Sequence, residues 1–324
     1  MVTSAKLRQH PKAAASLIGM SLPDFEALYA EFEVTHAERI RESRLTRRAK
    51  KPRQRAAGAG RRYRYDLRDR LLMTLFWLRA YMTYEVLGFF YDLNKTNIED
   101  SLQDVLATLA AMTSFTFERP RAERAKLRSP QAVMDAFPDV RLVIDAKEQR
   151  TQRPKNTQDD QGRTRDHQNP YSSGKKKTHT LKTQLAVRPD GLIEALSESV
   201  PGGATHDLTL LRQTGLVGEL DADEAAMLDK GSDGIRNDYP DARLYLPFKA
   251  RRNHPLTDEQ KAVNRVISRY RIVVEHTNAV LNKFQVLVQV FRHGRAWHSQ
   301  LIRVVAGLVN RRIQAKPLKT YALA

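Results

Sequence analysis

Two aliphatic runs that each stop on an aspartate constrain this chain more than anything else in it. Leu142-Val143-Ile144 ends on Asp145, and Ala225-Ala226-Met227-Leu228 ends on Asp229. Runs this short and this uniformly apolar predict buried strands, and so a sheet with helices packed on it. A carboxylate at the end of such a strand sits at the rim of the sheet. Desolvation there is costly unless the group is paired or holds a cation. Each aspartate also has a plainer possible role, capping the turn that follows, and Lys230-Gly231 after Asp229 would allow a tight one. Glu275 lies in the strongly periodic segment from Val263 to Phe284, which predicts a helix. Arg271, four residues earlier, offers it a surface ion pair. Were the three carboxylates to meet, they would form an oxygen-donor site for hard divalent cations. That is the ligand set of two-metal phosphoryl transfer, in which ligands arrive from separate elements.

Charge then narrows the partners. The 324 residues carry 55 Lys+Arg against 37 Asp+Glu, a formal net charge of +18. Such an excess implies a polyanion, and nucleic acid is the usual one. A membrane would need a spanning segment. The longest apolar stretch, Leu71 to Met82, is interrupted by Thr74 and Arg79 and is too short to span. The N-terminal MVTSAKLRQHPK has no apolar signal core, so a cytoplasmic, nucleoid-associated protein is expected. The absence of cysteine excludes disulfides, a thiolate nucleophile and a Cys-ligated zinc site. His179, His206, His254, His276 and His298 lack zinc-ligand spacing. An acidic metal site in a basic chain predicts a nuclease or a DNA strand-transfer enzyme.

The rest of the chain arranges itself around that site. Ser21-Leu22-Pro23-Asp24 reads as a helix start, with a stripe of Phe25, Leu28, Phe32 and Ile40 running to about Arg44. This gives an N-terminal helical segment over 1–46. The basic stretch RRAKKPRQRAAGAGRRYR, 47–64, reads as a linker or arm. Asp66 can cap a helix bearing Leu67, Leu71, Leu72, Leu75 and Leu78. Tyr84 to Phe90 and Asn94 to Met112 follow, separated by Tyr91-Asp92-Leu93. That is helix-turn-helix spacing, over 65–125, although a plain three-helix bundle fits the same apolar pattern. Asn94, Lys95, Thr96 and Asn97 would open the second helix and are candidates for contacts to bases and phosphates. Phe115 to Pro138 reads as a connector.

Over 138–315, strands are expected at Val140–Ala146, Thr180–Val187, Leu192–Ser197, Ala225–Leu228 and Leu244–Phe248. Helices are expected near His206–Val217, Thr257–Phe284 and Trp297–Gln314. This order suggests a mixed sheet covered by helices. Lys175, Lys176 and Lys177 sit on a hairpin tip and could hold a phosphodiester backbone. Asp207, in Thr205-His206-Asp207, reads as a helix-start residue rather than a second metal ligand.

Several motifs in sequence order, Asp145-Ala146-Lys147-Glu148-Gln149, YSSGKKKTHTLKTQ, PGGATHDLTLLR, LDKG and RIVVEHTN, resemble the DDE-superfamily endonucleases of bacterial insertion-sequence transposases, related to the Harbinger type. The likeness covers most of residues 140 to 313, and RDRLLMTLFWLRAYMTYEVLGFF resembles the helix-turn-helix domain that precedes them. It implies a ribonuclease H-like α/β catalytic domain after an all-α domain, with Asp145, Asp229 and Glu275 as the three acids holding two Mg²⁺ (or Mn²⁺) ions. It further implies cleavage and strand transfer at terminal inverted repeats, with double-stranded DNA and at least a second copy of the chain as partners. Arg271 matches the arginine that precedes the glutamate and joins the DNA-contact candidates. The departures are Lys147, where Thr or Gly is usual, Ser232 in place of an aromatic, and Asn282 in place of a lysine. Lys283, beside Asn282, is the candidate for that lysine's DNA contact. The competing expectations are a decayed DNA-binding regulator and a nuclease without strand transfer.

Overall fold

The computed structural model describes residues 2–50, 63–112, 139–250 and 255–316. Most of the basic arm and the connector lie outside these residues. Two compact units result. One is built on Met1–Thr116 with Lys283–Val286 and Arg303–Gly307. The other is built on Phe117–Asn282 with Leu287–Ile302 and Leu308–Ala324.

The first unit is all-α. It contains α1 (Ser4–Gln9), α2 (Ala14–Ile18), α3 (Leu22–Lys50), α4 (Leu67–Ala80), α5 (Tyr84–Tyr91) and α6 (Lys95–Ala111). The starts of the last three follow from capping. The side chains of Asp66, Thr83 and Asn94 accept from the backbone N–H of Asp69, Val86 and Asn97, satisfying donors that the first helical turn leaves open. Asp92 at φ +49° ends α5, and the chain turns straight into α6. A Cβ on Gly88 would lie 2.4 Å from the Leu93 carbonyl oxygen, so this return requires glycine.

Two expectations are corrected here. Helix α3 does not stop near Arg44 but runs to Lys50, because Arg, Lys and Ala are all good helix formers and charge alone does not end a helix. Residues 47–50 are thus helix rather than arm. The N-terminal segment and the helices after residue 65 also form one packed unit rather than two. Asp104 on α6 accepts from Arg39 of α3 and Arg70 of α4, with His36 at 3.0 Å. Phe25, Leu28 and Phe32 are buried along with Leu71, Leu75, Leu78, Leu102 and Val105.

The second unit holds the sheet. Its strands are β1 (Val140–Arg150), β2 (Thr157–Gln158), β3 (Thr164–Arg165), β4 (Ser172–Ser173), β5 (Thr178–Val187), β6 (Ile193–Leu196), β7 (Val200–Pro201), β8 (Ala225–Met227) and β9 (Arg243–Tyr245). Its helices are α7 (Asp207–Thr214), α8 (Asp258–Leu281) and α9 (Arg295–Ala315). Strands β6, β5, β1, β8 and β9 lie side by side in that order. β5 is antiparallel to both neighbours, whereas β1, β8 and β9 are mutually parallel. This is the ribonuclease H-like arrangement. The turn Arg188-Pro189-Asp190-Gly191 joins β5 to β6, with Gly191 at φ +89° donating to the Arg188 carbonyl.

Side chains alternate across β1, and this fixes what each face does. Leu142 and Ile144 pack with Leu211, Val217, Ala226, Leu228, Ile235 and Leu244 in an apolar core under α7. Val143, Asp145, Lys147 and Gln149 point to the other face, against which α8 packs. None of the described helices is long and apolar enough to cross a membrane.

Candidate active site

Strand β1 does not stop at Ala146 as expected but runs on to Arg150, because its pairing with β5 continues that far, so Asp145 lies within the strand rather than at its end. Parallel register with β8 still places the two aspartates together. Val143 pairs with Met227, the last residue of β8; two residues on come Asp145, still in β1, and Asp229, in extended backbone just past β8. Their like charges sense one another. Burial raises the Asp145 carboxyl above the ordinary range. Arg271 opposes that rise, while Asp229 and Asp207 add to it. Arg271 projects from α8, its Nη1 donating to Asp229 Oδ1 at 2.9 Å and its Nη2 lying 3.7 Å from Asp145 Oδ1. One guanidinium therefore spans both carboxylates, which corrects two expectations. Arg271 is not the partner of Glu275, and it is engaged at the acids rather than extended as a free DNA contact. Its Nε is buried without a partner, as is Asn278 Oδ1.

Glu275 is exposed on α8, one turn after Arg271. Among the described residues, no three acidic or histidine side chains converge as a metal-binding group. The structure thus brings together two of the three expected acids and closes the pair with an arginine. The donor chemistry of that pair still fits a hard divalent cation. It offers one carboxylate from within β1 and one from just past β8, the first of them partly desolvated, in a chain without thiolates.

Lys147 lies two residues beyond Asp145 on the same face. Its ammonium donates to Asn282 Oδ1 at the end of α8, so two of the sequence departures from the family pattern touch each other. Burial, followed by the nearby Lys176, pushes its pKa down to about 8. Lys175, Lys176 and Lys177 stand exposed in the turn between β4 and β5, and no ion pair ties them down among the described residues.

Asp207 opens α7, as its helix-start reading required, but not by capping. His206 holds the N-cap position without a side-chain bond. Asp207 instead lies 2.8 Å from the Nζ of buried Lys182, which also donates to the Thr205 carbonyl and sits 3.6 Å from Glu148. In the sequence Lys182 and Glu148 stand only as members of longer motifs. Their one signal, a lysine inside the apolar run of β5, becomes informative only once its register partner, Glu148, is known.

At the start of α6, Asn94 spends its side-chain oxygen on the cap and Lys95 pairs with Glu85 at 3.0 Å. Thr96 is exposed, Asn97 half-buried. The helix also carries Glu99, Asp100 and Asp104 against the single Lys95, a balance that opposes close approach to DNA. Lys283 is exposed just past the end of α8.

The family model for DDE superfamily endonucleases matches residues 144–310. A probable transposase for insertion sequence element IS702, from Microchaete diplosiphon, is 28% identical over 259 residues, covering 79% of this chain and 84% of that protein. No solved structure matches the chain. The matched span opens one residue before Asp145 and encloses Asp229, Arg271 and Glu275, and this chain belongs to the DDE superfamily endonucleases.

Proposed function

We propose that this chain is an insertion-sequence transposase that cuts DNA at terminal inverted repeats and joins the freed ends to target DNA. The observation that carries the reading is the placing of Asp145, inside β1, beside Asp229, just past the end of the neighbouring parallel strand β8, with Arg271 reaching both. Asp145 and Asp229 would hold Mg²⁺ or Mn²⁺, with Glu275 of α8 as the third ligand. Glu275 is supported by its place one helical turn from Arg271, on the same side of the helix. The chemistry supplied by bound divalent ions is polarisation of the phosphodiester and activation of water or a 3′-hydroxyl.

The chain's own groups do the rest. Arg271 neutralises the two carboxylates and holds them in register until the site is loaded. The lysines of the β4–β5 turn hold the DNA backbone, where contacts set position rather than sequence. The all-α unit would read the repeat, with Thr96 exposed at the start of α6. The synaptic complex would contain two or more copies of the chain.

The relative's name and the +18 charge support DNA as the partner. The test is cleavage, with and without Mg²⁺, of duplexes carrying the DNA that flanks the gene. Cuts at inverted repeats, lost in Asp145→Asn while binding persists, support the reading. Binding without any cut in the wild type would instead favour a decayed DNA-binding regulator, the reading favoured by Arg271 lying across both acids. Cuts without joining would make the chain a nuclease alone.

A further inference from the structure

Lys147 is a partly buried cation without a counter-ion. Among the described residues it forms no ion pair, and its hydrogen-bond partner is the neutral Asn282 amide. Asp145 lies only two residues back on the same strand face, about 7 Å along the chain, yet the ammonium is turned to Asn282 instead. Lys176 adds a second positive charge from the hairpin tip. On the other flank, His298 is buried and its own basicity is lowered by burial and by Lys147, so it offers no negative charge. The Lys147–Asn282 bond lies at the exposed edge of the site, on the strand face that carries Asp145, so an incoming anion can reach the ammonium there. The neutral amide fixes its direction while leaving its charge unspent.

We propose that Lys147 is a substrate-phosphate ligand, its ammonium holding a non-bridging oxygen of the DNA phosphodiester seated at Asp145 and Asp229. This rests on the phosphoryl-transfer reading above. It gives Lys147, a departure from the family pattern, a binding role. The carboxylates would hold the divalent cations at the reacting phosphate, and Lys147 would hold one of that phosphate's non-bridging oxygens. Asn282 is the positioning residue, because the oxygen it presents sets where Nζ sits.

The test uses the full chain and a duplex carrying the flanking repeat. Cleavage is measured in Mg²⁺, and binding is measured against salt in Ca²⁺. Lys147→Met should lower kcat/KM about ten- to a hundredfold, the usual range for a lost charge-assisted bond. It should also flatten the slope of log affinity against log salt by about 0.9, one phosphate contact. Asn282→Asp keeps the lysine but gives it an internal carboxylate, and should reproduce both losses. The double variant Lys147→Met/Asn282→Lys returns an ammonium to the same point from the opposite side and should recover most of the cleavage. A purely structural lysine would not be rescued in that way. Wild-type cleavage and slope in Lys147→Met would overturn the proposal, and so would faster cleavage, which would make the lysine a block. If the wild type cuts no duplex, the transposase reading fails, while the slope difference still decides the lysine.

Discussion

Acidification should weaken the catalytic unit through one ring. His298, near the start of α9, is 2% exposed. Its Nε2 lies 2.9 Å from Gln149 Oε1 and its Nδ1 lies 2.6 Å from Ser199 Oγ. The Gln149 amide nitrogen is committed to the Gln289 carbonyl, so its oxygen faces the ring and can only accept. Nε2 must then donate, and Nδ1 accepts from the Ser199 hydroxyl. Ser199 in turn has Thr183 Oγ1 at 2.9 Å. A second ring proton would have to reverse the Ser199 bond, and burial and then Lys147 push the pKa down to about 4 from the ordinary 6.5. The unfolded chain therefore takes up the proton first, and stability falls as pH drops through 6.5 toward 4. The whole linkage is worth roughly 3 kcal/mol, of which about 2 kcal/mol is lost between pH 7 and pH 5. Urea unfolding at pH 7, 6 and 5 measures it, with His298→Gln as the isogenic comparison. The variant should be weaker at pH 7 but lose correspondingly less on acidification. Equal losses in the two proteins would refute the neutral, Nε2-protonated ring. His36, whose pKa is also lowered to about 4, is present in both and cancels in the difference.

Other expectations follow from single contacts. Arg271→Gln should raise the Asp145 carboxyl pKa further, because Arg271, ahead of the Ala146 backbone N–H, is the larger influence holding it down. Carboxyl-carbon NMR titration reads this, and a fall would mean that the guanidinium is not the operative counter-ion. Asp207→Asn should cost about 1 kcal/mol or less, since Lys182 keeps Glu148 and the Thr205 carbonyl and half-exposed ion pairs contribute little. Thermal melts would contradict this if the variant failed to fold. Asn94→Ala should cost roughly 1 kcal/mol through the lost α6 cap, visible by circular dichroism, and an unchanged melting temperature would count against the cap.

The legible parts of the fold were local. The aliphatic runs announced β1 and β8, the Asp66 and Asn94 caps announced α4 and α6, and Pro189-Asp190-Gly191 announced a hairpin turn. Asp145 and Asp229 were legible as site candidates because a carboxylate following a buried aliphatic run needs a reason, but that β1 runs on past Asp145 to Arg150 was not legible, since Lys147-Glu148-Gln149-Arg150 carries no apolar pattern. What escaped was pairing between distant residues. Arg271 has Glu275 at helical spacing, yet it reaches across to two strands. Lys182, Glu148 and Asp207 form a cluster whose members are 25 or more residues apart in sequence. The two departures Lys147 and Asn282 are 135 residues apart, and only the packing of α8 on β1 makes them partners. The length of α3 was misjudged because its last turns carry charge rather than an apolar stripe.

The most direct measurement is single-turnover cleavage of the repeat duplex in Mg²⁺ by Asp145→Asn, Asp229→Asn and Glu275→Gln, with Asp207→Asn beside them. Loss of cleavage in the first three, with binding intact and Asp207→Asn still active, is the predicted pattern. An inactive Asp207→Asn beside an active Asp229→Asn would contradict it, and would move the second acid from the end of β8 to the start of α7.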